Sequence, residues 1–403
     1  MSSINIKAFF KFSKVKITEQ SLDIQSKTVF VKVEPQKRYA PVCHICKGHS
    51  YSIHSYHERT VRDLNIFEAK TFIQYSYRKI RCPKCGIVVE ELEIVEPDMR
   101  ITRRLANYIL ELCKYMTIKE VAEHLELDWK TIKKIHKDYL LERYSEEDIG
   151  YPKLLAVDEI SLKKRHCYLT VIINWETGRV LWIGEGRRYE TLKEFFNSLR
   201  EEQRKGIQAI AMDMWDPYIK AAKECIANAS IVFDQFHVVK AFGKVIDKVR
   251  NTEYRKADKE NKDVIKGSKY ILLKNRENLT DEEQPRLKKL LSLNKAITTV
   301  YILKDYLKRL WQYKYARCAQ KFLDYWCFLA EQSKLRPVIA FARTLKKYAY
   351  GIINHCRFPI HTSRMEGINN KIKVIKRKAY GFHDVEYFSL IIKSAFSLQL
   401  NGR

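Results

Sequence analysis

The sequence predicts a mixed α/β domain that contains an inserted helical segment and follows two small N-terminal modules. Three observations support this: two early Cys-x-x-Cys pairs, two short capped helices after them, and then short apolar runs that alternate with helical patterns. The chain has 403 residues, of which 46% are apolar. A chain of this size buries sizeable cores, in roughly two to four domains.

The composition is strongly basic. Seventy-five Lys and Arg residues against 48 Asp and Glu residues give a formal charge of +27, which favours a polyanionic partner, nucleic acid before an anionic membrane. No apolar run approaches the roughly 20 residues needed to span a bilayer, and the N-terminus lacks the pattern of a secretory signal. We therefore expect a cytoplasmic protein that has no membrane partner.

The first module, residues 1–98, carries the two cysteine pairs. Strand-like sequence lies before the first pair (Val29–Val33) and between the two pairs (Phe72–Tyr77), and this spacing is typical of a zinc ribbon, in which four thiolates hold one structural Zn²⁺. The predicted ligands are Cys43, Cys46, Cys82 and Cys85. A redox-active pair is one alternative, and ligation by a nearby histidine is another (His44, His49, His54 or His57). The remaining cysteines are expected to be inert core residues: Cys113, Cys167, Cys225, Cys318, Cys327 and Cys356.

The second module, residues 99–150, has helical periodicity. Thr117 and Glu120 form a capping box, and Asp128 caps a second helix that begins at Trp129. Two capped helices joined by a tight turn predict a helix-turn-helix, although a small helical bundle would show the same caps. Four residues of the second helix are predicted to contact DNA. We call them the recognition-helix set: Lys130, Thr131, Lys133 and Lys134.

Strand patterns begin after residue 150. The order is three antiparallel strands, a helix, a strand, a helix, a strand and a late helix, which is typical of a ribonuclease H-like fold. The domain is predicted to comprise residues 151–250 and 346–403, with the helical segment 251–345 inserted. The predicted strands are Leu154–Val157, Cys167–Ile173, Arg179–Gly184, a run that ends before Asp213, and Ser230–Phe233, with one helix from Glu190 to about Glu202 and another, capped by Asp216, ending near Ala227.

Three carboxylates are candidates for a cation site. Asp158 and Asp213 each come at the end of a buried run, where two strand ends that face each other would hold a divalent metal. The alternative is that both residues simply terminate strands. Glu366 is the only acid between Leu345 and Lys378, so it is either a ligand or the partner of Ser363 in a capping box. Basic residues that would bind phosphates come after Glu366. We call them the catalytic-helix set: Lys371, Lys373, Lys376, Arg377 and Lys378.

Four motifs in order resemble the bacterial insertion-sequence transposases of the "ISL-three" type. They are Val157-Asp158-Glu159, Met212-Asp213-Met214-Trp215, Phe233-Asp234-Gln235-Phe236-His237 and Glu366-Gly367-Ile368-Asn369-Asn370. The resemblance covers nearly the whole chain. Members often have a basic residue where Gln235 stands, so the resemblance leaves a DNA contact at this position open, whereas it includes the triad.

The resemblance implies an enzyme that binds the terminal inverted repeats of its element, cleaves double-stranded DNA and joins the ends to a target. Asp158, Asp213 and Glu366 would form an Asp-Asp-Glu triad that holds two Mg²⁺ ions, or Mn²⁺ in their place, roughly 3.5–4 Å apart. Asp234 and His237 would lie beside this site. We expect a homo-oligomer, at least a dimer when two ends are paired, associated with the bacterial nucleoid through DNA.

Two functions of other classes are also compatible with the sequence. One is a transposase-derived repressor that binds DNA without cutting it, which the intact triad disfavours. The other is a ribonuclease H-like nuclease that acts on RNA or on repair junctions.

Overall fold

The chain divides into two compact units, Met1–Glu142 and Arg143–Arg403. The structure, a computed structural model, describes residues 12, 14–95, 99–145, 148–163, 167–360 and 363–397. None of the helices within these ranges combines the length and the apolar character needed to cross a membrane.

The first unit opens with a five-stranded sheet in the order β1-β2-β4-β3, with β5 beside β4. Alternate residues of β2 are buried, among them Val31 and Val33, which pack with Ile73 of β4 in one core. Both predicted strands of this module are confirmed. The strands are β1 (Val15–Asp23), β2 (Thr28–Pro35), β3 (Ile53–Ile66), β4 (Ala69–Cys82) and β5 (Gly86–Val89).

Three helices complete this unit: α1 (Arg103–Cys113), α2 (Ile118–Leu125) and α3 (Trp129–Tyr144). The predicted capping box is present, because the Glu120 backbone N–H donates to Thr117 Oγ1 at 3.2 Å and Thr117 N–H donates to Glu120 Oε2 at 2.7 Å. Asp128 Oδ1 accepts from Lys130 N–H at 2.7 Å. Glu126 adopts φ 51°, a left-handed conformation that turns the chain between α2 and α3.

The second unit contains a second five-stranded sheet, in the order β10-β9-β6-β7-β8. Strands β6, β7 and β8 pair antiparallel, whereas β9 and β10 run parallel to β6. The predicted meander and the two later strands are therefore confirmed. The strands are β6 (Leu154–Lys163), β7 (Cys167–Asn174), β8 (Val180–Glu185), β9 (Ala209–Met212) and β10 (Ser230–Phe233).

Helices cover both faces of this sheet. Leu155 and Val157 of β6 pack into the core beneath α4, α6 and α7, whereas Ala156 packs into the core beneath α15 and α16. This alternation follows from the two-residue period of a strand. The helices around the sheet are α4 (Tyr189–Ser198), α5 (Glu201–Gly206), α6 (Asp216–Cys225), α7 (Gln235–Lys256), α15 (Ser363–Lys378) and α16 (Val385–Ala395).

Two predictions about these helices are wrong. The single helix from Glu190 to Glu202 is broken at Leu199, whose extended backbone (φ −81°, ψ 141°) lets the side chain bury in the core. Asp216 does not cap α6, since the N-cap is Trp215 and has no capping side-chain bond. The Asp216 carboxylate instead accepts from Tyr348 Oη at 2.7 Å and from Lys347 Nζ at 3.3 Å.

Residues 251–345 are helical and contain no strand, as predicted. Trp326 is fully buried in their core and donates from Nε1 to Leu303 O at 3.0 Å. The helices are α8 (Lys259–Ile265), α9 (Lys269–Leu273), α10 (Glu283–Leu293), α11 (Lys295–Lys308), α12 (Ala316–Gln332), α13 (Arg336–Lys347) and α14 (Ala349–Ile353), with 3-10 turns at Arg276–Asn278, Arg309–Gln312 and Asn354–Cys356.

Candidate metal centres

The four predicted zinc ligands lie together in the first unit. The Sγ atoms of Cys43, Cys46, Cys82 and Cys85 all lie within 4.8 Å of one another. Cys82 ends β4 and Cys85 precedes β5, so the tight turn of this hairpin presents one pair, and a bridge between Cys43 and Glu90 brings the other pair alongside. Four converging thiols fit a tetrahedral structural zinc site.

The electrostatics of this cluster favour a cation. Backbone N–H groups of Lys84 and Cys85 lower the pKa of the Cys82 thiol to about 7, whereas desolvation and the neighbouring thiols raise the pKa of Cys85 to about 12. Four thiolates this close repel one another unless a dication compensates them. His44 lies outside the cluster and contacts Val89 O at 2.8 Å through Nδ1, and the redox alternative fails because four thiols converge rather than two.

The other described cysteines are not all core residues. Cys327 is buried, as expected, but Cys318 is exposed, so the expectation is wrong for that residue. Cys318 lies in the first turn of α12, on the face turned to solvent. The Cys167 side chain lies outside the described residues.

A second cluster forms just beyond the last parallel pair of β6 and β9, next to the end of β9 and within β6, which continues to Lys163. Ala156 of β6 is in register with Ala211 of β9, so Asp158 and Asp213, each two residues further on, emerge at the same level of the sheet. Ligand atoms of Asp158, Asp213 and His237 lie within 4.8 Å of one another. The structure thus brings together the first two predicted acids and one residue expected beside them.

His237 enters the cluster from the first turn of α7. Its Nδ1 contacts Asp213 Oδ1, and its Nε2 lies 3.9 Å from Asp234 Oδ2. Burial lowers the pKa of His237 to about 4, so the imidazole is neutral near pH 7. Asp234 is the N-cap of α7 and accepts from Phe236 N–H at 3.1 Å.

Asp158 is held from two sides. Its Oδ1 accepts from Glu159 N–H at 2.8 Å, and its Oδ2 accepts from the side-chain amide of Asn369 on α15. Burial raises the pKa of Asp158, while these two donors and the positive charges of Lys240 and Lys373 oppose the rise. Desolvation is therefore the main cause of the shift, and the bonds from Glu159 and Asn369 hold the carboxylate in place.

Asn369 belongs to the fourth motif, but the sequence alone gave it no role. It is 8% exposed, and its Oδ1 is a buried atom without a hydrogen-bond partner among the described residues. Its position in the motif was the only signal for it. No sequence signal pointed to Arg187, which donates from Nη1 to Glu159 Oε1 at 2.9 Å.

Glu366 is exposed and lies outside the cluster of Asp158, Asp213 and His237. It occupies the first turn of α15, three residues before Asn369. Residues three apart lie on neighbouring parts of one helix face, so Glu366 is about one turn from the residue that contacts Asp158. The Ser363 side chain, its alternative capping partner, lies outside the described residues.

The basic sets occupy exposed helix surfaces to different degrees. In the recognition-helix set, Lys130 and Lys134 are exposed, and Thr131 and Lys133 are half-buried. In the catalytic-helix set, Lys373, Arg377 and Lys378 are exposed. Lys371 is exposed as well, and several members of the set also contact the protein itself: Lys371 Nζ donates to Ala395 O at 2.6 Å, Lys376 Nζ to Ser161 O at 3.1 Å and Arg377 Nε to Lys373 O at 3.4 Å.

Comparison with known families gives three consecutive matches along the chain. The zinc-finger model of the IS204/IS1001/IS1096/IS1165 transposases matches residues 40–85, the helix-turn-helix model of transposase family ISL3 matches residues 90–140, and the DDE transposase model of ISL3 matches residues 155–392. The order agrees with the three modules predicted from the sequence.

Individual transposases are similar to this chain over most of their length. The transposase for insertion sequence element IS1001 of Bordetella parapertussis is 38% identical over 374 residues, 92% of each chain. The transposase for IS1557 of Mycobacterium tuberculosis is 23% identical over 348 residues, covering 80% of this chain and 78% of the relative.

Proposed function

The chain belongs to the ISL3 family of insertion-sequence transposases, and from this premise we propose that it binds its element's terminal inverted repeats, cleaves DNA there and joins the ends to a target. The observation that carries the proposal is the meeting of Asp158 in β6, Asp213 just after β9 and His237 in α7, whose ligand atoms lie within 4.8 Å of one another. Carboxylates on rigid strands suit metal-assisted phosphoryl transfer.

We assign the second unit a ribonuclease H-like fold. Its sheet order, with three antiparallel strands extended by two parallel ones beside the first, supports this assignment. We propose a division into four parts: ribbon 1–98, helix-turn-helix 99–150, catalytic domain 151–250 and 346–403, and helical insert 251–345.

We propose Asp158, Asp213 and Glu366 as the catalytic triad. The support for Glu366 is positional, because α15 presents it one turn from Asn369, which touches Asp158. The helix is anchored at that end, where Arg364 Nη1 donates to Glu176 O at 2.5 Å.

The residues of this cluster fit divalent cations. The set offers hard oxygen donors, and Asn369 Oδ1 is buried without a partner among the described residues. The triad would hold two Mg²⁺ ions, or Mn²⁺, which when bound polarise phosphoryl oxygens and lower the pKa of a coordinated nucleophile.

The surrounding side chains position the triad. Asn369 fixes the Asp158 carboxylate through its amide, and neutral His237 fixes Asp213 from α7. Lys240 and Lys373 supply positive charge next to Asp158, where a DNA phosphate would lie. The protein thus pre-orients the acids and neutralises the substrate before any bond changes.

We propose that the first unit recognises the element ends. The recognition-helix set would enter the major groove from α3, and the zinc ribbon would brace that helix-turn-helix. In the catalytic-helix set, the exposure of Lys371, Lys373, Arg377 and Lys378 suits phosphate contacts. Pairing two ends requires at least a dimer, working on the bacterial chromosome that carries the element.

The test is to incubate purified full-length protein with Mg²⁺ and a duplex carrying the DNA ends that flank its own gene. We expect strand cuts at the ends and, with target DNA present, joined products. A duplex of the same length and random sequence is the control. Protein that binds the ends but cuts neither duplex with Mg²⁺ or Mn²⁺ would refute the catalytic part of the proposal.

A further inference from the structure

A groove with aromatic walls lies beside the carboxylate cluster. It encloses about 1180 Å³ between the β7–β8 edge of the sheet, the start of α4 and the start of α6. Its lining includes Tyr168, Arg187, Arg188, Glu190, Trp215 and Lys220. The function proposed above assigns no role to this groove.

Arg187 organises the aromatic walls. Its guanidinium carbon lies 4.2 Å from the Tyr168 ring centroid and 5.1 Å from the Trp215 ring centroid, and Nη1 donates to Glu159 Oε1 at 2.9 Å. Trp215 Nε1 donates in turn to the Arg187 carbonyl at 3.1 Å. One arginine therefore joins both rings to the carboxylate that follows Asp158.

Trp215 remains 39% exposed although it is held at several points. Because its only polar side-chain atom is already bonded, the surface it offers is the apolar ring. A ring fixed in advance loses little conformational entropy when a flat partner stacks on it. Such a surface matches the face of a nucleic-acid base, which stacks on aromatic side chains regardless of its identity.

The groove is close enough to the acids to receive part of the same DNA strand. Trp215 N–H donates to Asp213 O at 2.7 Å, and the two residues are separated by at most about 7.6 Å of Cα trace. On the other strand, Glu159 directly follows Asp158. Its side chain points to the opposite face of β6 from Asp158 and accepts from Arg187, so the groove is linked to the acids through Trp215 beside Asp213 and through Glu159 beside Asp158.

The charges of the groove distinguish a base from a phosphate backbone. Its lining is mixed rather than basic, with Arg187, Arg188 and Lys220 against Glu185, Glu190, Glu194 and Asp216. A channel for backbone phosphates would be predominantly positive. Base edges carry both donors and acceptors, which mixed side chains satisfy.

We propose that this groove receives one unstacked base of the DNA strand held at Asp158 and Asp213, with Trp215 as its stacking surface. The inference rests on the proposed function, since it requires DNA at the carboxylates. Removal of one base–aromatic stack lowers affinity on the order of 5- to 100-fold.

The test uses the full-length protein and element-end duplexes with 2-aminopurine, a base whose fluorescence rises on unstacking, at each position around the cut. We expect a rise at one or two positions with the wild type and with Trp215→Phe, and none with Trp215→Ala. Trp215→Ala should cut the normal duplex more slowly. A duplex with an abasic site at the responsive position should restore its cutting, because no base needs a stacking partner.

The matched control is Tyr325→Ala, which removes an aromatic ring that is 51% exposed on α12, outside the groove, and should leave the fluorescence rise unchanged. Wild-type protein that cuts the ends without any fluorescence rise would overturn this inference alone. So would a Trp215→Ala protein with an unchanged rise, or one that the abasic duplex fails to rescue. Wild-type protein that neither binds nor cuts the ends would overturn the proposed function and this inference with it.

Discussion

Replacing Glu90 with alanine should destabilise the zinc ribbon by about 3–5 kcal/mol, because it leaves the charge of Arg78 buried without its partner. The two side chains are 9% (Arg78) and 6% (Glu90) exposed. Arg78 donates to Glu90 Oε2 from Nε at 2.9 Å and from Nη2 at 2.6 Å, and its backbone N–H donates to Oε1 at 2.7 Å. The remaining bond, Nη1 to Tyr39 O at 3.5 Å, is too long to compensate.

The damage should reach the thiol cluster. Glu90 pairs with Cys43 in a β-bridge, and its own N–H donates to Arg78 O at 3.0 Å. A more mobile backbone at Glu90 therefore weakens the bridge that holds Cys43 in the thiol cluster. A cost of about 3–5 kcal/mol raises the open fraction of the ribbon roughly 150- to 5000-fold.

The assay is zinc release to a chromogenic chelator along a urea titration of the full chain. Glu90→Ala should release zinc at clearly lower urea than wild type. The double variant Arg78→Met/Glu90→Leu should recover most of the stability, since apolar residues of similar volume replace a buried pair at little cost. Lys27→Met breaks an exposed pair (65% and 81% exposed) and should release zinc at close to the wild-type urea concentration. A Glu90→Ala protein that holds zinc as well as Lys27→Met would refute the reasoning.

Three further predictions concern zinc, DNA and pH. Cys43→Ser or Cys82→Ser should abolish stoichiometric zinc in metal analysis and weaken DNA binding, and unchanged stability in both would sink the zinc assignment. Alanine replacement of the recognition-helix set should reduce discrimination between element ends and random DNA. Replacement of the catalytic-helix set should instead weaken binding to all DNA and reduce the slope of log affinity against log salt concentration by about one for each phosphate that is no longer neutralised. Binding titrations at several salt concentrations measure both effects, and equally reduced discrimination from both sets would contradict this prediction. Burial lowers the pKa of His136 to about 4, so the unfolded chain binds a proton that the folded chain does not, and stability should fall as pH drops from about 6.5 towards 4. Thermal unfolding at pH 7.5 and 5 should show a smaller drop for His136→Gln than for wild type.

Local patterns predicted the elements of this chain well. The capping box at Thr117 and Glu120 needs only residues three apart, and the short apolar run Ser230–Phe233 matches β10 in both bounds. The thiol cluster followed from the spacing of its cysteines, because that spacing is chemically restrictive.

Interactions between residues far apart in the chain could not be predicted from the sequence. Asp216 looked like a cap, but a tyrosine 132 positions away takes its carboxylate. Leu199 ended a helix because the core accepts its side chain, which the helical period of its neighbours does not reveal. The bond from Asn369 to Asp158 joins residues 211 positions apart, and no local pattern encodes it.

The measurement that tests the account most directly is DNA cutting by Asp158→Asn, Asp213→Asn and Glu366→Gln proteins at equal occupancy of the element ends. Each substitution removes one carboxylate charge in the second unit and leaves the first unit unchanged. We predict that cutting falls by several orders of magnitude in all three, while binding to the ends persists. A Glu366→Gln protein that cuts at close to the wild-type rate would contradict the triad and direct the search for the third ligand to Asp234.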